Sequence, residues 1–246
     1  MEREKIISRL SSVKTTQLQL VRDRGYDISE EINLLNATQE DFIQLISNPK
    51  NIRSSLNHIY EHPTETFSII QHDKEGKIEF DKEGNKKTKT IKKNILVFYL
   101  GTTKEQINKN DIVEYLAQLK LARLKSLGFF ESLLILNVPL SKIANDELQE
   151  KLLNKNVRVQ VFLESELTYN PTLSNETPRH VALTESEKKF KLRLKIGYGG
   201  LQIINKNDPI AKYYGWTPGT IVKIYRDDSD LHTINDESLN YRIVMD

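Results

Sequence analysis

The sequence predicts a mixed α/β body followed by a small α+β domain at the C-terminal end. Patterns of buried strands and amphipathic helices alternate between Ile95 and Leu163. Because strand–helix–strand order requires crossover connections, part of the sheet in the body must be parallel. Turn-forming residues then replace apolar ones over Asn170–Thr177. We therefore predict two domains, residues 1–169 and 170–246.

The first 50 residues carry helical signals. Apolar residues recur at spacings of three and four from Ile6 to Val21, which predicts an amphipathic helix that ends at Arg24-Gly25. Two shorter helices are expected after it, at Ser29–Asn33 and at Gln39–Ile46.

A change of period at Thr64 predicts a β-hairpin. Apolar and polar residues alternate after Thr64, a polar turn follows at Asp73–Gly76, and Ile78 and Phe80 mark the expected return strand. The lysine-rich stretch Asn85–Lys93 is then predicted to be a connection.

The rest of the N-terminal body is predicted to consist of alternating strands and helices. Continuous apolar runs predict strands buried on both faces, and helical spacing predicts the helices between them. In chain order these are a strand Ile95–Leu100, a helix Asp111–Ser126, a strand Ser132–Val138, a helix from the cap Ser141 to about Leu153, and a strand Val157–Leu163.

The C-terminal domain is predicted to be built around a short capped helix. Asp208 is a favourable N-cap, Pro209 suits the first helical position, and Gly215 can end the helix in a left-handed conformation. The elements expected around it are a charged helix Glu185–Ile196, a turn Gly197–Gly200, a turn Thr217–Gly219, and strands Ile221–Tyr225 and Asn240–Met245.

Composition narrows the classes of function. The chain has 246 residues, 38% of them hydrophobic, and no cysteine. The absence of cysteine excludes disulfide scaffolds, thiolate nucleophiles and cysteine-ligated metal clusters. With 36 basic and 34 acidic residues the net charge is near zero, so any contact with nucleic acid must be local. No apolar run is long enough for a membrane span, and we expect no membrane partner.

Three local motifs resemble known functional sites, but none of them is sufficient to establish one. His58-Ile-Tyr-Glu-His62 matches an inverted zinc-protease pattern, but His62 precedes Pro63 and so avoids helical geometry. The Gly197–Gly200 turn lacks the residues of a phosphate loop. The lysine run 86–93 fits either a solvated edge or a contact with phosphates. We expect no catalytic set, metal or cofactor.

The C-terminal stretch resembles the fifth subunit shared by the three eukaryotic nuclear DNA-directed RNA polymerases, and also the archaeal polymerase H subunit. That family carries an Asp-Pro pair, a short helix ending in an aromatic residue and Gly, a Gly turn, and a Val-Lys-Ile-x-Arg strand. The matching residues are Asp208, Pro209, Ala211, Tyr214, Gly215, Gly219, Val222, Lys223, Ile224 and Arg226, followed by Tyr241, Arg242, Ile243 and Val244.

Blocks at the start and middle extend the resemblance over essentially the whole chain. Val21–Tyr26 matches the end of the family's first helix, and Phe162–Leu167, Asn170-x-Thr172 and Pro178-x-His180-Val181 follow in family order. Ser174 stands where the family has histidine, and Leu201–Ile204 lacks the family's proline. These departures, long hairpins and richness in Lys, Asn and Ile suggest a version from a large DNA virus or a divergent protist.

The resemblance implies a non-catalytic polymerase subunit without cofactors. Residues 1–169 would form a three-layer, jaw-like α/β domain with a mixed sheet, part of the lower jaw near downstream DNA. Residues 170–246 would be an assembly domain that docks on the largest subunit, with strands Ile221–Tyr225 and Tyr241–Met245 offering free backbone edges or a face. The implied docking residues are Asp208, Pro209, Tyr214, Gly215, Gly219, Val222, Lys223, Arg226, Tyr241 and Arg242.

A DNA-proximal loop is also implied, at Pro139, Ser141 and Lys142, with weak contacts that do not depend on base sequence. The location would be the nucleus for a cellular protein, or a cytoplasmic virus factory and the virion for a viral one. Two other interpretations remain open. One is a nucleic-acid-processing enzyme with nuclease-like carboxylates, for which Asp73, Glu79 and Asp81 are the candidates; the other is a free-standing transcription regulator that borrowed the assembly domain.

Overall fold

A computed structural model describes residues 2–45, 52–70, 77–80, 83–124, 129–152, 157–188, 201–225 and 240–246. The chain divides into two compact units, Met1–Tyr169 and Asn170–Asp246. Each unit has its own four-stranded sheet and is described separately below.

The N-terminal unit is built on a mixed sheet whose strands lie in chain order. β1 is antiparallel to β2, whereas β2, β3 and β4 are parallel to one another, which confirms the partly parallel sheet expected from the strand–helix alternation. The strands are β1 (His58–Ile70), β2 (Thr88–Leu100), β3 (Phe129–Leu136) and β4 (Arg158–Leu163).

Helices cover both faces of this sheet. On β2, Leu96, Phe98 and Leu100 belong to one buried cluster with residues of α3 and α4, because alternate residues of a strand share a face. Tyr99 lies on the other face, where its hydroxyl donates to Gln17 Oε1 of α1 at 3.3 Å. The helices are α1 (Glu2–Asp23), α2 (Gln39–Leu45), α3 (Ile112–Leu124) and α4 (Lys142–Leu152), with 3-10 turns at Ser29–Asn36, Arg53–Leu56 and Glu164–Leu167.

The predicted hairpin is wrong in its return strand. β1 starts earlier, at His58, and pairs with Thr88–Leu100, while Phe80 makes only an isolated bridge with Lys86. The lysines after position 86 suggested a loop, but strand pairing uses backbone groups, so lysines fit a strand whose side chains reach solvent. The predicted turn Asp73–Gly76 lies outside the described residues.

Within the described residues of the N-terminal unit, the helix predictions are confirmed with one adjustment. α1 ends where expected, and Gly25 has φ of 89°. A Cβ at Gly25 would lie 2.7 Å from His62 Nε2, so close packing and backbone conformation both require glycine there. The turn that begins at Ser29 is a 3-10 helix running to Asn36. The predicted helix ends at Ile46, Ser126 and Leu153 lie outside the described residues.

The described part of the C-terminal unit holds four strands rather than the predicted two. The order is β5-β7-β8-β6, with β6 parallel to β8 and the other pairs antiparallel. The elements are β5 (Arg179–Ala182), β6 (Gln202–Asn205), α5 (Pro209–Tyr214), β7 (Ile221–Tyr225) and β8 (Asn240–Met245). The predicted α5, β7 and β8 are therefore confirmed, whereas β5 and β6 were missed because four-residue strands carry too few side chains to show a period.

The additional strands overturn the expectation of free edges on β7 and β8. β5 pairs with the outer side of β7, and β6 pairs with the outer side of β8. The core beneath this sheet contains Ile204, Ala211, Val222, Ile224 and Val244, with Trp216 packed against it. The predicted helix Glu185–Ile196 is described only as far as Lys188, and Gly197–Gly200 lies outside the described residues.

Across the described parts of the chain, no helix combines the length and apolar character needed to span a bilayer.

Candidate docking site in the C-terminal unit

The start of α5 is stabilised by its cap. Asp208 Oδ1 accepts hydrogen bonds from the backbone N–H of Ile210 at 2.9 Å and of Ala211 at 3.4 Å. Pro209 occupies the first helical position, where its missing N–H costs nothing. Both residues therefore act mainly by fixing where this short helix begins.

The end of α5 is equally well defined. Gly215 adopts φ of 68° and ψ of 32°, the left-handed conformation expected from the sequence. Its N–H donates to Lys212 O at 3.2 Å, and the Trp216 N–H donates to Ala211 O at 3.0 Å, which together form a Schellman motif. The motif brings Trp216 back onto Tyr214, with stacked rings whose centroids lie 5.0 Å apart.

A tight turn then leads into β7. Gly219 has φ of 89°, and its N–H donates to Val244 O at 2.9 Å. In return the Val244 N–H donates to Thr220 O at 2.8 Å. The turn is thereby bonded to β8, so Gly219 contributes to sheet geometry as well as to chain reversal.

The predicted docking residues do not converge on one surface. Val222 is completely buried in the core, whereas Lys223 and its cross-strand partner Tyr241 lie on the opposite face of the sheet. The Lys223 Nζ lies 5.0 Å from the centre of the Tyr225 ring. Arg226 lies outside the described residues. Several of these positions therefore define the fold, and the half-buried ones on the sheet are divided between its two faces.

Two polar residues near α5 were not predicted as site residues. Asn170 is buried and its Nδ2 donates to the Tyr213 hydroxyl at 3.0 Å, while its Oδ1 accepts from the Thr172 N–H at 2.9 Å. The Asn-Pro-Thr pattern indicates such a cap, but the bond to Tyr213 depends on tertiary structure.

His180 is the second polar residue near α5 that was not predicted as a site residue. Its Nδ1 donates to Pro178 O at 2.6 Å. Burial lowers the pKa of the imidazole, the Pro178 carbonyl and Asp208 oppose this shift, and Arg242 adds to it. His180 therefore lies in the electrostatic field of two predicted docking residues.

The predicted DNA-proximal loop is rigidly held in the N-terminal unit. The Ile107 N–H donates to Pro139 O and the Ser141 N–H donates to Ile107 O, both at 2.9 Å. Ser141 Oγ also accepts from the Ala144 N–H at 3.3 Å, as expected for a helix cap. Pro139 and Lys142 are exposed, so the loop can meet a partner without unfolding.

The charges around this loop are largely balanced. Lys104 pairs with Asp111 at 3.0 Å, and Lys109 pairs with Glu147 at 2.8 Å. The hydrogen bond to Glu147 raises the pKa of Lys109. A loop in this setting can contribute only a small attraction for phosphates.

Ion pairs with glutamates also reduce the positive electrostatic potential of the lysine run 86–93. Lys87 lies 3.3 Å from Glu79, Lys92 lies 2.9 Å from Glu61, and Lys93 lies 2.8 Å from Glu65. The run belongs largely to β2 rather than to a free basic loop.

The His58–His62 motif lies on strand β1 rather than on a helix. His62 is buried, its Nδ1 accepts from the Glu65 N–H at 3.0 Å, and its ring meets Tyr26 edge-on. Within the described ranges, no group of three or more acidic, histidine or cysteine side chains could hold a metal ion.

Comparison with known proteins identifies the family. A family model described as "RNA polymerase Rpb5, N-terminal domain" matches residues 4–118, and one described as "RNA polymerase Rpb5, C-terminal domain" matches residues 169–244. The chain belongs to the Rpb5 family. Both models match in family order, which confirms the resemblance found in the sequence.

Curated proteins of the Rpb5 family are similar along most of the chain. The Arabidopsis thaliana "DNA-directed RNA polymerase subunit 5-like protein 1" is 29% identical over 226 residues, 91% of each chain. A Caenorhabditis briggsae "DNA-directed RNA polymerases I, II, and III subunit RPABC1" is 25% identical over 221 residues, 89% of each chain. A Dictyostelium discoideum subunit rpabc1 is 33% identical over 96 residues, 39% of this chain and 49% of that one.

Proposed function

We propose that the chain is a non-catalytic subunit of a multisubunit DNA-directed RNA polymerase. The observation that carries this proposal is the ordered match of both Rpb5 domain models, one in each structural unit. The relatives are named as polymerase subunits, and an accessory role agrees with them. Catalysis is then the task of other subunits, which we take to be the two largest.

Within this role, unit Asn170–Asp246 is the assembly domain and docks on the largest subunit. The support is physical: caps, a Schellman motif and a turn bonded to β8 give a short helix and a sheet with well-defined geometry. A rigid surface loses little entropy on binding, which favours a constitutive interface. Because β7 and β8 are inner strands, docking uses a sheet face, α5 or the outer strands rather than the edges of these two strands.

The N-terminal unit is the jaw-like domain and lies near downstream DNA. The exposed Pro139 and Lys142 beside a capped helix start are the residues through which it meets phosphates. Since the neighbouring lysines are paired with acids, this contact is weak and independent of base sequence.

Ion pairs argue against the nuclease alternative. Glu164 directly follows β4 and is buried, but its oxygens are held by Arg53 at 2.6 Å and Arg9 at 3.0 Å. Glu131 on β3 lies 3.4 Å from Arg24. Carboxylates neutralised by arginines are poor ligands for a catalytic metal. Of the acidic candidates, Glu79 pairs with Lys87, and Asp73 and Asp81 lie outside the described residues.

The nucleus is the location that follows from eukaryotic relatives whose names include polymerases I, II and III. A viral version would instead act in a cytoplasmic virus factory and be packaged in the virion.

The test is affinity purification of a tagged full-length chain from its native source. We expect the largest polymerase subunits to co-purify in stoichiometric amounts. A free-standing regulator would be recovered without them, and that result would overturn the proposal.

A further inference from the structure

Arg242 occupies an unusual position in the C-terminal sheet. It lies on β8, between Val222 of β7 and Gln202 of β6 in the strand register. Val222 is fully buried and Gln202 is exposed, so Arg242 lies between the buried core and the solvent-exposed part of the same sheet face. Arg242 itself is half-buried.

Its guanidinium has no ion-pair partner in the part of the chain that the structure describes. The Nε atom is shielded from solvent and has no hydrogen-bond partner. Among the residues that the structure describes, no carboxylate lies within ion-pair distance of Arg242. Asp208, the nearby acid that also influences His180, uses Oδ1 to accept the N–H groups of Ile210 and Ala211.

Such an arrangement is costly in the free chain. A partly buried charge without a partner loses hydration and gains no Coulomb attraction in return, and a shielded N–H without an acceptor adds to that cost. Native proteins rarely retain such groups unless something outside the chain satisfies them.

We propose that Arg242 is the anchor for a carboxylate of the polymerase chain on which the C-terminal unit docks; this inference rests on the proposed function. The shielded Nε has no partner among the described residues, and a guanidinium matches carboxylate geometry through parallel N–H groups. A phosphate backbone would require several cations. The cross-strand neighbours of Arg242, Val222 and Gln202, carry no charge, so this position suits a single acidic side chain.

The first experiment separates anchoring from folding. Arg242→Met keeps an unbranched stem but removes the charge and the unpartnered donor. We expect the full-length variant to melt within about 2 °C of the parent or higher, because no hydrogen bond or ion pair of Arg242 with a described residue is lost. Its incorporation into polymerase, competed against tagged parent chain, should fall at least about tenfold. Arg242→Lys should fall between the two, because it keeps the charge without the planar fork.

Arg3→Met is the matched control. Arg3 is exposed on α1 of the N-terminal unit, so the same substitution should leave incorporation unchanged. If Arg242→Met lowers the melting temperature together with incorporation, or leaves both unchanged, the anchor is overturned. Failure of the parent chain itself to enter polymerase would instead overturn the proposed function.

A cross-link identifies the partner chain. Gln202, replaced by p-benzoylphenylalanine in the full-length chain within assembled polymerase, places a photo-reactive group beside Arg242. Mass spectrometry should find it joined to an acidic segment of another polymerase subunit. Cross-links confined to this chain, or to a segment without Asp or Glu, would contradict the anchor.

Discussion

Arg53 Nε donates to Glu164 Oε1 at 2.6 Å, and Arg53 Nη2 donates to Glu164 Oε2 at 3.2 Å. Arg9 approaches the same carboxylate at 3.0 Å from α1. Residues separated by more than one hundred positions thus meet at the end of β4 around one buried acid. These three residues tie the first helix, the turn before β1 and the end of the last strand of the N-terminal unit together.

We expect Glu164→Gln to destabilise the N-terminal unit by about 3 kcal/mol, because it removes the buried counter-charge of the partly buried Arg53 guanidinium. Urea unfolding followed by far-UV circular dichroism would measure this loss. Glu105→Gln, a substitution at an exposed acid of the same unit, should leave the midpoint unchanged. Equal midpoints for the two variants would show that the pair contributes no net stability.

Gly215→Val should destabilise the C-terminal unit by more than about 1 kcal/mol, because a β-branched residue is strained at a φ of 68°. The variant should also lose incorporation into polymerase, since the geometry between α5 and Trp216 depends on this residue. Gly215→Asn is the control, because asparagine tolerates left-handed backbone better. Normal assembly of Gly215→Val would contradict a docking role for this region.

Acid should destabilise the C-terminal unit through His180. Burial lowers the pKa of its imidazole below the usual 6.5, so the folded chain takes up the proton less readily than the unfolded chain does. Stability should therefore fall as the pH drops from 7 to below the unfolded pKa. His180→Asn should show a shallower loss in urea midpoints measured at several pH values in this range. Parallel curves would exclude His180 as the cause.

Pro139→Ala combined with Lys142→Glu should leave folding and assembly intact, because both side chains are exposed. Polymerase carrying the double variant should release downstream DNA somewhat faster, and the difference should shrink at high salt because phosphate contacts are screened. Lifetimes of elongation complexes measured against salt provide the test. Superimposable curves would remove this loop from the DNA path.

Ile107→Ala tests how the loop is positioned. Ile107 is fully buried, so its truncation should cost about 2–4 kcal/mol of stability in the N-terminal unit. Its backbone bonds to Pro139 and Ser141 do not need the side chain and should persist. Hydrogen exchange of the backbone amides provides the test. The Ser141 amide should exchange more slowly than amides at exposed loop positions in both parent and variant, which would confirm that the backbone hydrogen bonds do not depend on the Ile107 side chain.

The sequence by itself determined the features whose signals are local. Capping chemistry at Asp208, Pro209 and Gly215 depends on neighbours within a few residues, so α5 was predictable to the residue. Long apolar runs likewise predicted the parallel strands, because a strand buried on both faces needs apolar side chains throughout. Ordered motif blocks were sufficient to identify the family.

Only the tertiary structure decided which distant groups meet. The partner of β1, the edges taken by β5 and β6, and the arginines around Glu164 all depend on contacts between residues far apart in the chain. The division of the predicted docking residues between a core and two sheet faces has the same origin. Backbone pairing is nearly indifferent to side-chain type, so a lysine-rich segment can join a sheet. No local pattern shows that Arg242 will lack an ion-pair partner among the described residues.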